Sequence, residues 1–402
     1  MSEKTNRKWS NSTKAIHAGE HVDPTTKASS PNLVMSSTFA PSEFAGFSAL
    51  NREGYSGFSY SRVANPTVNN LQEKLAILEG AEAAQVFGSG MAAAHALLMS
   101  RLTAGDHIIF SEVNYVGIAE LIRNSLPRWG IQVSPVDTSD IGEISSAIRP
   151  NTKMIWLETP ANPILRLADI KEIAQMAKDR MIKDVVVDST FATPIATKPL
   201  ELGANFVMHS LTKYICGHGD AMGGAILGSK ENIDDLNLEA AVHYGGILSP
   251  FNAWLISRGA ATLPIRMKAH EDNAKVVVDF LKDHSKVDTV FYPGLSTHPQ
   301  HQLAKKQMMN YSGMIAFTTK MPGEAIAKNM IENLGFIHFA VSLGHHRTLI
   351  YWIPTDPILK SSFKLNKRAE KKYKSIAKDG VFRLSVGLEN PKDICEDLDR
   401  VL

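Results

Sequence analysis

A lysine flanked by hydroxyl side chains lies in the stretch HSLTKYICGHGD, residues 209–220. Ser210, Thr212 and Lys213 end or follow an apolar run, and a glycine-bearing turn comes after them. The lysine amine can condense with an aldehyde, and the hydroxyl groups can donate hydrogen bonds to phosphate oxygens. The segment is therefore a candidate site for a phosphate-bearing aldehyde. From these residues alone, a surface lysine in a polar turn is the alternative.

An aspartate closes another apolar run, VVVD, shortly before this lysine in the chain. A carboxylate at Asp188 can keep a pyridinium nitrogen protonated, which lets the ring withdraw electrons from a substrate carbanion. The alternative is that Asp188 merely caps the next turn. Asp188 and Lys213 together favour a ring cofactor more than either residue does separately.

A glycine-flanked turn precedes an Ala, Leu and Met-rich helix in FGSGMAAAHALLMSRL, residues 87–102. The first backbone N–H groups of such a helix, near Gly90 and Met91, form a ready phosphate site because the helix end carries partial positive charge. The GSGMA motif is weak by itself, since many α/β loops contain two glycines. The apolar residues that follow are expected to belong to the core.

Several further side chains are candidate anion partners. Arginine has a planar donor fork that matches carboxylate or phosphate, so Arg62, beside Tyr60, and Arg383 can grip a cofactor or a substrate carboxylate. A structural ion pair is the alternative for each. Paired histidines lack a third ligand and predict surface or capping roles with no metal site; they are His298, His301, His345 and His346.

The elements that must position these residues are short apolar runs alternating with amphipathic stretches from about residue 80 to 260. Such alternation predicts βαβ units and a mostly parallel sheet covered by helices. Ligands of open sheets bind beyond the carboxyl ends of the strands, where Asp188 and Ser210–Lys213 lie. The runs are HIIF near 107, MIWLE at 154, VVVD at 185, FVMHS at 206 and GGAILG at 223.

The chain is predicted to have three parts. Residues 1–64 read as an arm, residues 65–262 as the large domain that binds the cofactor, and residues 263–402 as a smaller α+β domain. The large domain opens with a helix that Asn65 caps, that Pro66 begins and that Gly80 ends. A lysine-rich stretch, LNKRAEKKYKSIAKDG, reads as a solvated helix face in the small domain.

The bulk composition is that of a multidomain globular enzyme. The 402 residues carry a formal net charge of only +2, which gives no general attraction to nucleic acid. Two cysteines, Cys216 and Cys395, cannot form a disulfide framework and favour a reducing, cytoplasmic location. The polar N-terminus and the absence of a long apolar run predict neither an export signal nor a membrane span.

The motifs YSRxxNPT, SGMAA, ETPANP, VVVDST, PLELGAN, HSLTKYICGHGD, SPFNAWL, YPGL, VSLG and RLSVGLE occur in one order along nearly the whole chain. In this the sequence resembles the Cys/Met-metabolism family of pyridoxal-phosphate enzymes, which includes methionine γ-lyase, cystathionine lyases, cystathionine γ-synthase and homoserine-ester sulfhydrylases. The resemblance implies the aspartate-aminotransferase-like α/β fold, called fold type I, the cofactor pyridoxal 5′-phosphate and a small amino-acid substrate. It also implies a homotetramer built from active dimers.

The resemblance further implies a role for each matching position. Lys213 would carry the cofactor and move the substrate proton, and Tyr115 would stack on the ring and serve as a candidate acid. The cofactor would also contact Tyr60, Arg62, Gly90, Met91, Asp188, Ser210 and Thr212, with Tyr60 and Arg62 coming from the neighbouring subunit. The substrate carboxylate would be bound by Asn162, Ser342 and Arg383.

The reaction is left open by positions that depart from the best-known members. Val341 replaces a glutamate typical of cystathionine-handling γ-enzymes and resembles methionine γ-lyase, whereas Val116-Gly117 and Ala241-Val242 depart from that lyase. The first interpretation is γ-elimination on a sulfur-type amino acid. The alternatives are γ-replacement by a sulfhydrylase or cystathionine γ-synthase, cystathionine cleavage, and a catalytically retired scaffold.

The segment HHRTLIYWIPTDP, residues 345–357, also differs from relatives, which line the substrate entrance here. Tyr351 and Trp352 within it either reshape the side-chain pocket or pack a domain interface.

Overall fold

The computed structural model describes residues 9–40 and 57–402. Residues 1–8 and 41–56, which belong to the predicted arm, lie outside the described residues. Residues 1–8 are also the start of the polar N-terminus that was predicted to carry no export signal. Within the described residues, twelve strands form two sheets. The strands are β1 Ala83–Phe87, β2 His107–Ser111, β3 Gln132–Val136, β4 Thr152–Glu158, β5 Asp184–Asp188, β6 Phe206–Ser210, β7 Gly224–Gly228, β8 Val287–Phe291, β9 Met314–Thr319, β10 His338–Phe339, β11 Leu349–Pro354 and β12 Gly380–Ser385.

Helices connect most of these strands. The α-helices are α1 Asn11–His17, α2 Pro66–Glu79, α3 Gly90–Arg101, α4 Val116–Glu120, α5 Ile141–Ala147, α6 Ile170–Asp179, α7 Thr193–Ala196, α8 Lys230–Leu236, α9 Pro250–Ala260, α10 Leu263–Asp283, α11 His301–Gln307, α12 Gly323–Asn333, α13 Thr355–Ile358, α14 Lys367–Ala377 and α15 Pro391–Val401. Wider π-helical turns span Leu121–Ser125, Asn237–His243 and Leu359–Phe363, and a 3₁₀ turn spans Leu126–Trp129. Among the described residues, no helix combines the length and the apolar composition that a membrane span requires.

The predicted first helix of the large domain is confirmed in α2. The Asn65 side chain accepts the backbone N–H of Thr67 at 2.9 Å, and Pro66 occupies the first helical position. Gly80 ends the helix with a φ of 80°, a left-handed conformation that glycine adopts without a steric penalty.

The predicted parallel sheet is also confirmed. Seven strands follow the order β1-β7-β6-β5-β4-β2-β3. The pairs β2 with β3, β2 with β4, β4 with β5 and β5 with β6 are parallel, and β1 pairs with β7 antiparallel. Strands β2, β4 and β5 are buried along nearly their whole length, which explains their continuous apolar runs.

A smaller second sheet has the order β10-β11-β12-β9-β8 and is mostly antiparallel. One face of it packs on α10, α12 and α15 through a single apolar core that includes Phe317, Phe382 and Ile394. The α/β class with a smaller α+β domain, predicted from the sequence, is therefore confirmed.

The chain divides into two compact units. The first comprises Met1–Ser100 with Ser210–Ile265, and the second comprises Arg101–His209 with Arg266–Leu402. The consecutive boundaries predicted from sequence, 1–64, 65–262 and 263–402, stay a prediction.

The lysine-rich helix α14 is more than a solvated face. Lys372 extends from it to the buried carboxylate of Asp137, with Nζ 2.6 Å from Oδ2, and Arg166 approaches the same carboxylate at 2.7 Å. Glu112 lies 3.7 Å from Arg166. Burial alone would raise the pKa of Asp137, but Arg166, Lys372 and hydrogen bonds from Ser139 lower it to about 2. We call these four charged residues, Glu112, Asp137, Arg166 and Lys372, the Asp137 cluster.

Candidate active site

The start of α3 provides the first group of candidate site residues. Ser89 precedes the helix, and its Oγ accepts the backbone N–H of Ala92 at 3.0 Å. The turn packs tightly against β7, because a Cβ added at Gly224 would lie 2.2 Å from the Ser89 carbonyl oxygen and 2.8 Å from the Gly90 Cα. Only glycine at position 224 allows this approach.

The turn that carries Lys213 lies beside the same strand. The Leu211 N–H donates to the Gly223 carbonyl at 2.9 Å, and the Gly223 N–H donates to the Thr212 hydroxyl at 3.1 Å. Gly223 therefore contacts one candidate segment and Gly224 the other. The fold brings together residues 89–91 and residues 210–213, which we call the Lys213 cradle.

The Lys213 cradle has the donor groups that a phosphorylated aldehyde requires. It combines a helix N-terminus, the hydroxyls of Ser210 and Thr212 and the amine of Lys213, and its residues include no carboxylate. A phosphate dianion is stabilised by such N–H and O–H donors and by the helix dipole. The residues of this structure thus fit the phosphate and aldehyde ends of pyridoxal 5′-phosphate.

Tyr60 and Arg62 lie together in the first unit. The Arg62 guanidinium carbon is 5.6 Å from the centre of the Tyr60 ring, and the guanidinium donates to the Val242 carbonyl. Tyr60 is 43% exposed, so its ring remains accessible on this chain. The role of both residues in a neighbouring subunit's site stays a prediction.

Asp188 is in the second unit, at the carboxyl end of β5, and is buried. Its Oδ1 accepts the N–H of Thr190 at 3.0 Å and the Thr190 hydroxyl at 2.6 Å. These two bonds fix the orientation of the carboxylate. On the neighbouring strand β4, the residue in register with Asp188 is Glu158.

Glu158 joins two predicted site residues. Its Oε2 accepts the backbone N–H of Tyr115 at 2.6 Å, and its Oε1 accepts the backbone N–H of Asn162 at 2.7 Å. Tyr115 precedes α4 and is 43% exposed, while Asn162 is buried in the loop after β4. Burial and the nearby carboxylate of Asp188 raise the pKa of Glu158.

Arg383 joins the remaining predicted residues. From the middle of β12, one guanidinium nitrogen donates to the Asn162 side-chain oxygen at 3.2 Å and another donates to the Ser342 carbonyl at 2.9 Å. Ser342 has a φ of 84°, which costs a serine about 1–3 kcal/mol and is typical of functional loops. Tyr115, Glu158, Asn162, Asp188, Ser342 and Arg383 are therefore connected, and we call them the Arg383 cluster.

The divergent segment 345–357 contains β11, whose two aromatic residues face opposite sides of the sheet. Tyr351 is in register with Arg383, so both side chains lie on one face, and its ring is 5.3 Å from that of Phe339. Trp352 packs against Phe382 in the core, and a Cβ at Gly323 or at Gly380 would lie 2.3 Å from its indole nitrogen. Trp352 is a packing residue of the second unit, whereas Tyr351 is a neighbour of the candidate carboxylate site.

The histidines considered as metal ligands have other contacts. Burial lowers the pKa of His298 to about 4, and the His301 ring nitrogen lies 2.9 Å from the Pro293 carbonyl oxygen. His345 lies 3.3 Å from the Ser342 hydroxyl. Within residues 9–40 and 57–402, no group of three or more His, Cys, Asp or Glu side chains is arranged to hold a metal ion.

Sequence reasoning about single residues missed Glu158. Its motif, ETPANP, served only to establish a resemblance. The signal that could have found it is that two buried strands, MIWLE and VVVD, both end in a carboxylate. Parallel neighbours place such carboxyl ends side by side, and a buried pair of acids is costly unless it has a use.

Comparison with known proteins places this architecture in one family. The family model described as Cys/Met metabolism PLP-dependent enzyme matches residues 12–402. The chain is 41% identical to L-methionine gamma-lyase of Fusobacterium nucleatum subsp. polymorphum over 98% of both chains, and 38% identical to cystathionine gamma-synthase of Mycobacterium bovis over 97% of this chain and 96% of that protein. The crystal structure of cystathionine gamma-lyase from Lactobacillus plantarum complexed with L-serine superimposes with a TM-score of 0.87, at 36% identity over 98% of each chain.

The chain belongs to the Cys/Met metabolism family of PLP-dependent enzymes. The predicted family, fold type and cofactor, pyridoxal 5′-phosphate, are confirmed. The substrates of this family are small amino acids, and its relatives include both lyases and synthases.

Proposed function

We propose that this protein is a carbon–sulfur γ-lyase that converts L-methionine or a similar γ-substituted amino acid, with water, into 2-oxobutanoate, ammonia and a thiol. The observation that carries the proposal is the surroundings of Arg383. A buried guanidinium that already orients Asn162 and Ser342 can bind the α-carboxylate bidentately. Arg383 has an aromatic neighbour, Tyr351, on the same sheet face.

The side chain of the substrate is inferred to be apolar beyond its sulfur. Tyr351 and Phe339 supply aromatic surface beside Arg383, and Val341 is 64% exposed next to Ser342. None of these three residues carries a carboxylate that could form an ion pair with a distal ammonium group. A thioether such as that of methionine suits them better than the distal amino acid end of cystathionine.

Most residues of the Lys213 cradle and the Arg383 cluster have a proposed task. Bound pyridoxal 5′-phosphate supplies an electron-withdrawing ring that makes the substrate Cα–H and Cβ–H acidic. Lys213 carries the cofactor and moves protons at Cα, and Asp188 holds the proton on the pyridine nitrogen. Gly90, Met91, Ser210 and Thr212 bind the phosphate. Tyr115 stacks on the ring and gives a proton to the departing thiolate sulfur.

The protein is further proposed to act as a homotetramer built from active dimers, in which Tyr60 and Arg62 reach the neighbouring subunit's site. Large apolar side chains that are exposed on the first unit are the candidates for such a partner surface; they include Met35, Met222, Tyr244 and Phe251. Light scattering after size-exclusion chromatography measures the number of subunits. A cytoplasmic location stays a prediction from the two free cysteines.

The close alternative is γ-replacement on an activated homoserine ester, as in the synthase relatives. A product panel separates the two reactions. Purified protein with added cofactor is incubated with methionine, homocysteine, cysteine, cystathionine, O-acetylhomoserine and O-succinylhomoserine, each with and without a thiol, and Lys213→Ala serves as the background control. Rapid 2-oxobutanoate from methionine without thiol is the expected result. A new thioether or homocysteine formed from an ester only when thiol is present would establish the transferase instead.

A further inference from the structure

Glu158 is the one member of the Arg383 cluster for which the proposed reaction has no task. It is the last residue of β4 and is buried. Its two carboxylate oxygens accept backbone N–H groups from two different loops, that of Tyr115 after β2 and that of Asn162 after β4. One side chain therefore fixes the backbone of both residues at once.

A carboxylate is needed for this bridge, because each bond uses a separate oxygen. Glutamine has the same shape but one oxygen, so its amide nitrogen would face one of the two N–H donors. Leaving a buried donor unpaired costs more than the bond itself contributes. The geometry thus requires both acceptor oxygens, and this accounts for an acid at position 158.

The acid is retained at an electrostatic cost. Glu158 is in register with Asp188 on the adjacent strand, and both are buried. Burial and the Asp188 charge both oppose ionisation of Glu158, whereas Arg383 and the two backbone N–H groups favour it. Two separate neutral acceptors could satisfy these N–H groups without a second carboxylate beside Asp188, so what the acid adds is the link between the two loops.

We propose that Glu158 is a positioning residue that holds the Tyr115 ring and the Asn162 side chain in the orientation needed to meet the cofactor and the substrate carboxylate. The inference rests on the proposed cofactor and substrate roles of those two residues. Errors of about 1 Å in such groups reduce rates on the order of 100-fold even when no reacting group is removed.

The test compares Glu158→Gln with the matched control Glu112→Gln. Glu112 is another buried glutamate of the same unit; it follows β2, as Glu158 ends β4, and belongs to the Asp137 cluster. For each protein, the apoprotein is titrated with pyridoxal 5′-phosphate, and the visible absorption and its induced circular dichroism are recorded. These signals report the affinity and the ring environment of the cofactor without any substrate.

Glu158→Gln is expected to change the induced circular dichroism, to weaken cofactor binding by about 10-fold and to lower kcat/KM by about 100-fold, with kcat and KM both affected. Glu112→Gln is expected to leave both the cofactor affinity and the dichroism as in the wild type. If Glu158→Gln fails to fold, Glu158→Asp is measured, since it keeps both oxygens but shortens their reach.

Wild-type dichroism and affinity in a folded Glu158 variant would overturn the proposal, as would equal spectral changes in both variants. Because these readouts need no turnover, they remain valid whichever substrate the product panel identifies. Failure of the γ-lyase proposal would appear in that panel alone.

Discussion

The Lys213 cradle and the Arg383 cluster are built from different chemistry. The cradle consists of backbone N–H groups, hydroxyls and one amine on two short chain segments that glycines bring close. The Arg383 cluster consists of charged and polar groups, most of them buried, from five separate places in the chain. The cradle tolerates water and local adjustment, whereas the cluster depends on every buried partner being present. Substitutions should therefore act locally in the first group and cooperatively in the second.

The largest expected loss of activity comes from removing the Lys213 amine. Lys213→Ala removes both the covalent anchor and the group that moves the substrate proton, so kcat should fall by about 10⁴-fold or more. Lys230→Ala, which removes an exposed lysine of the same unit, is the control and should keep wild-type activity. Steady-state product formation measures both variants. Retention of more than a tenth of the activity in Lys213→Ala would remove this residue from the mechanism.

The next effect tests the cooperative character of the cluster. Arg383→Lys keeps the charge but cannot donate to both the Asn162 oxygen and the Ser342 carbonyl in the fork geometry. We expect kcat/KM to fall by about 100-fold, mainly through KM, because the substrate carboxylate loses its partner. Exposed Arg180→Lys is the control. An unchanged KM would show that another group binds the carboxylate.

A smaller, local effect is expected in the cradle from Gly224→Ala. The added Cβ meets the Ser89 carbonyl at 2.2 Å, so the start of α3 must move away from β7. Cofactor affinity should weaken by about 10-fold while the dichroism of the bound form is kept. Gly246→Ala is the control, since its Cβ meets nothing closer than 3.5 Å. Titration of the apoproteins measures the affinities, and equal values for the two variants would contradict the role of this close approach.

The smallest effect on catalysis is expected in the Asp137 cluster, whose two carboxylates are also buried but lie outside the predicted site. The folded pKa of Asp137 is lowered to about 2, below its unfolded value of 3.8. Its ionised form therefore contributes about 2 kcal/mol above pH 4, and this contribution is lost as the pH falls through 2. Asp137→Asn should lower the melting temperature at pH 7, with a difference that shrinks towards pH 2, and leave kcat unchanged. A difference in melting temperature that does not change with pH would contradict this link between the pKa of Asp137 and stability.

The contrast between the Lys213 cradle and the Arg383 cluster also explains how much of the site could be predicted from the sequence alone. The strand ends and the cradle follow from contiguous patterns, since an apolar run, a hydroxyl-lysine turn and a glycine-helix turn each lie within a few residues. Tyr115, Asn162, Ser342 and Arg383 are far apart in the chain, and only the family resemblance grouped them. Glu158 was not identified from the sequence because its importance depends on its register with Asp188 in the sheet. Which of Tyr351 and Trp352 shares a sheet face with Arg383 likewise depends on the pairing of β11 with β12, which sequence periodicity does not reveal.

The most direct test of the account is to locate the cofactor on the polypeptide. The holoenzyme is reduced with borohydride, digested, and its modified peptide is identified by mass spectrometry. The expected result is a single phosphopyridoxyl group, on Lys213. Modification of another lysine, or none in a preparation that turns over substrate, would contradict the site proposed here.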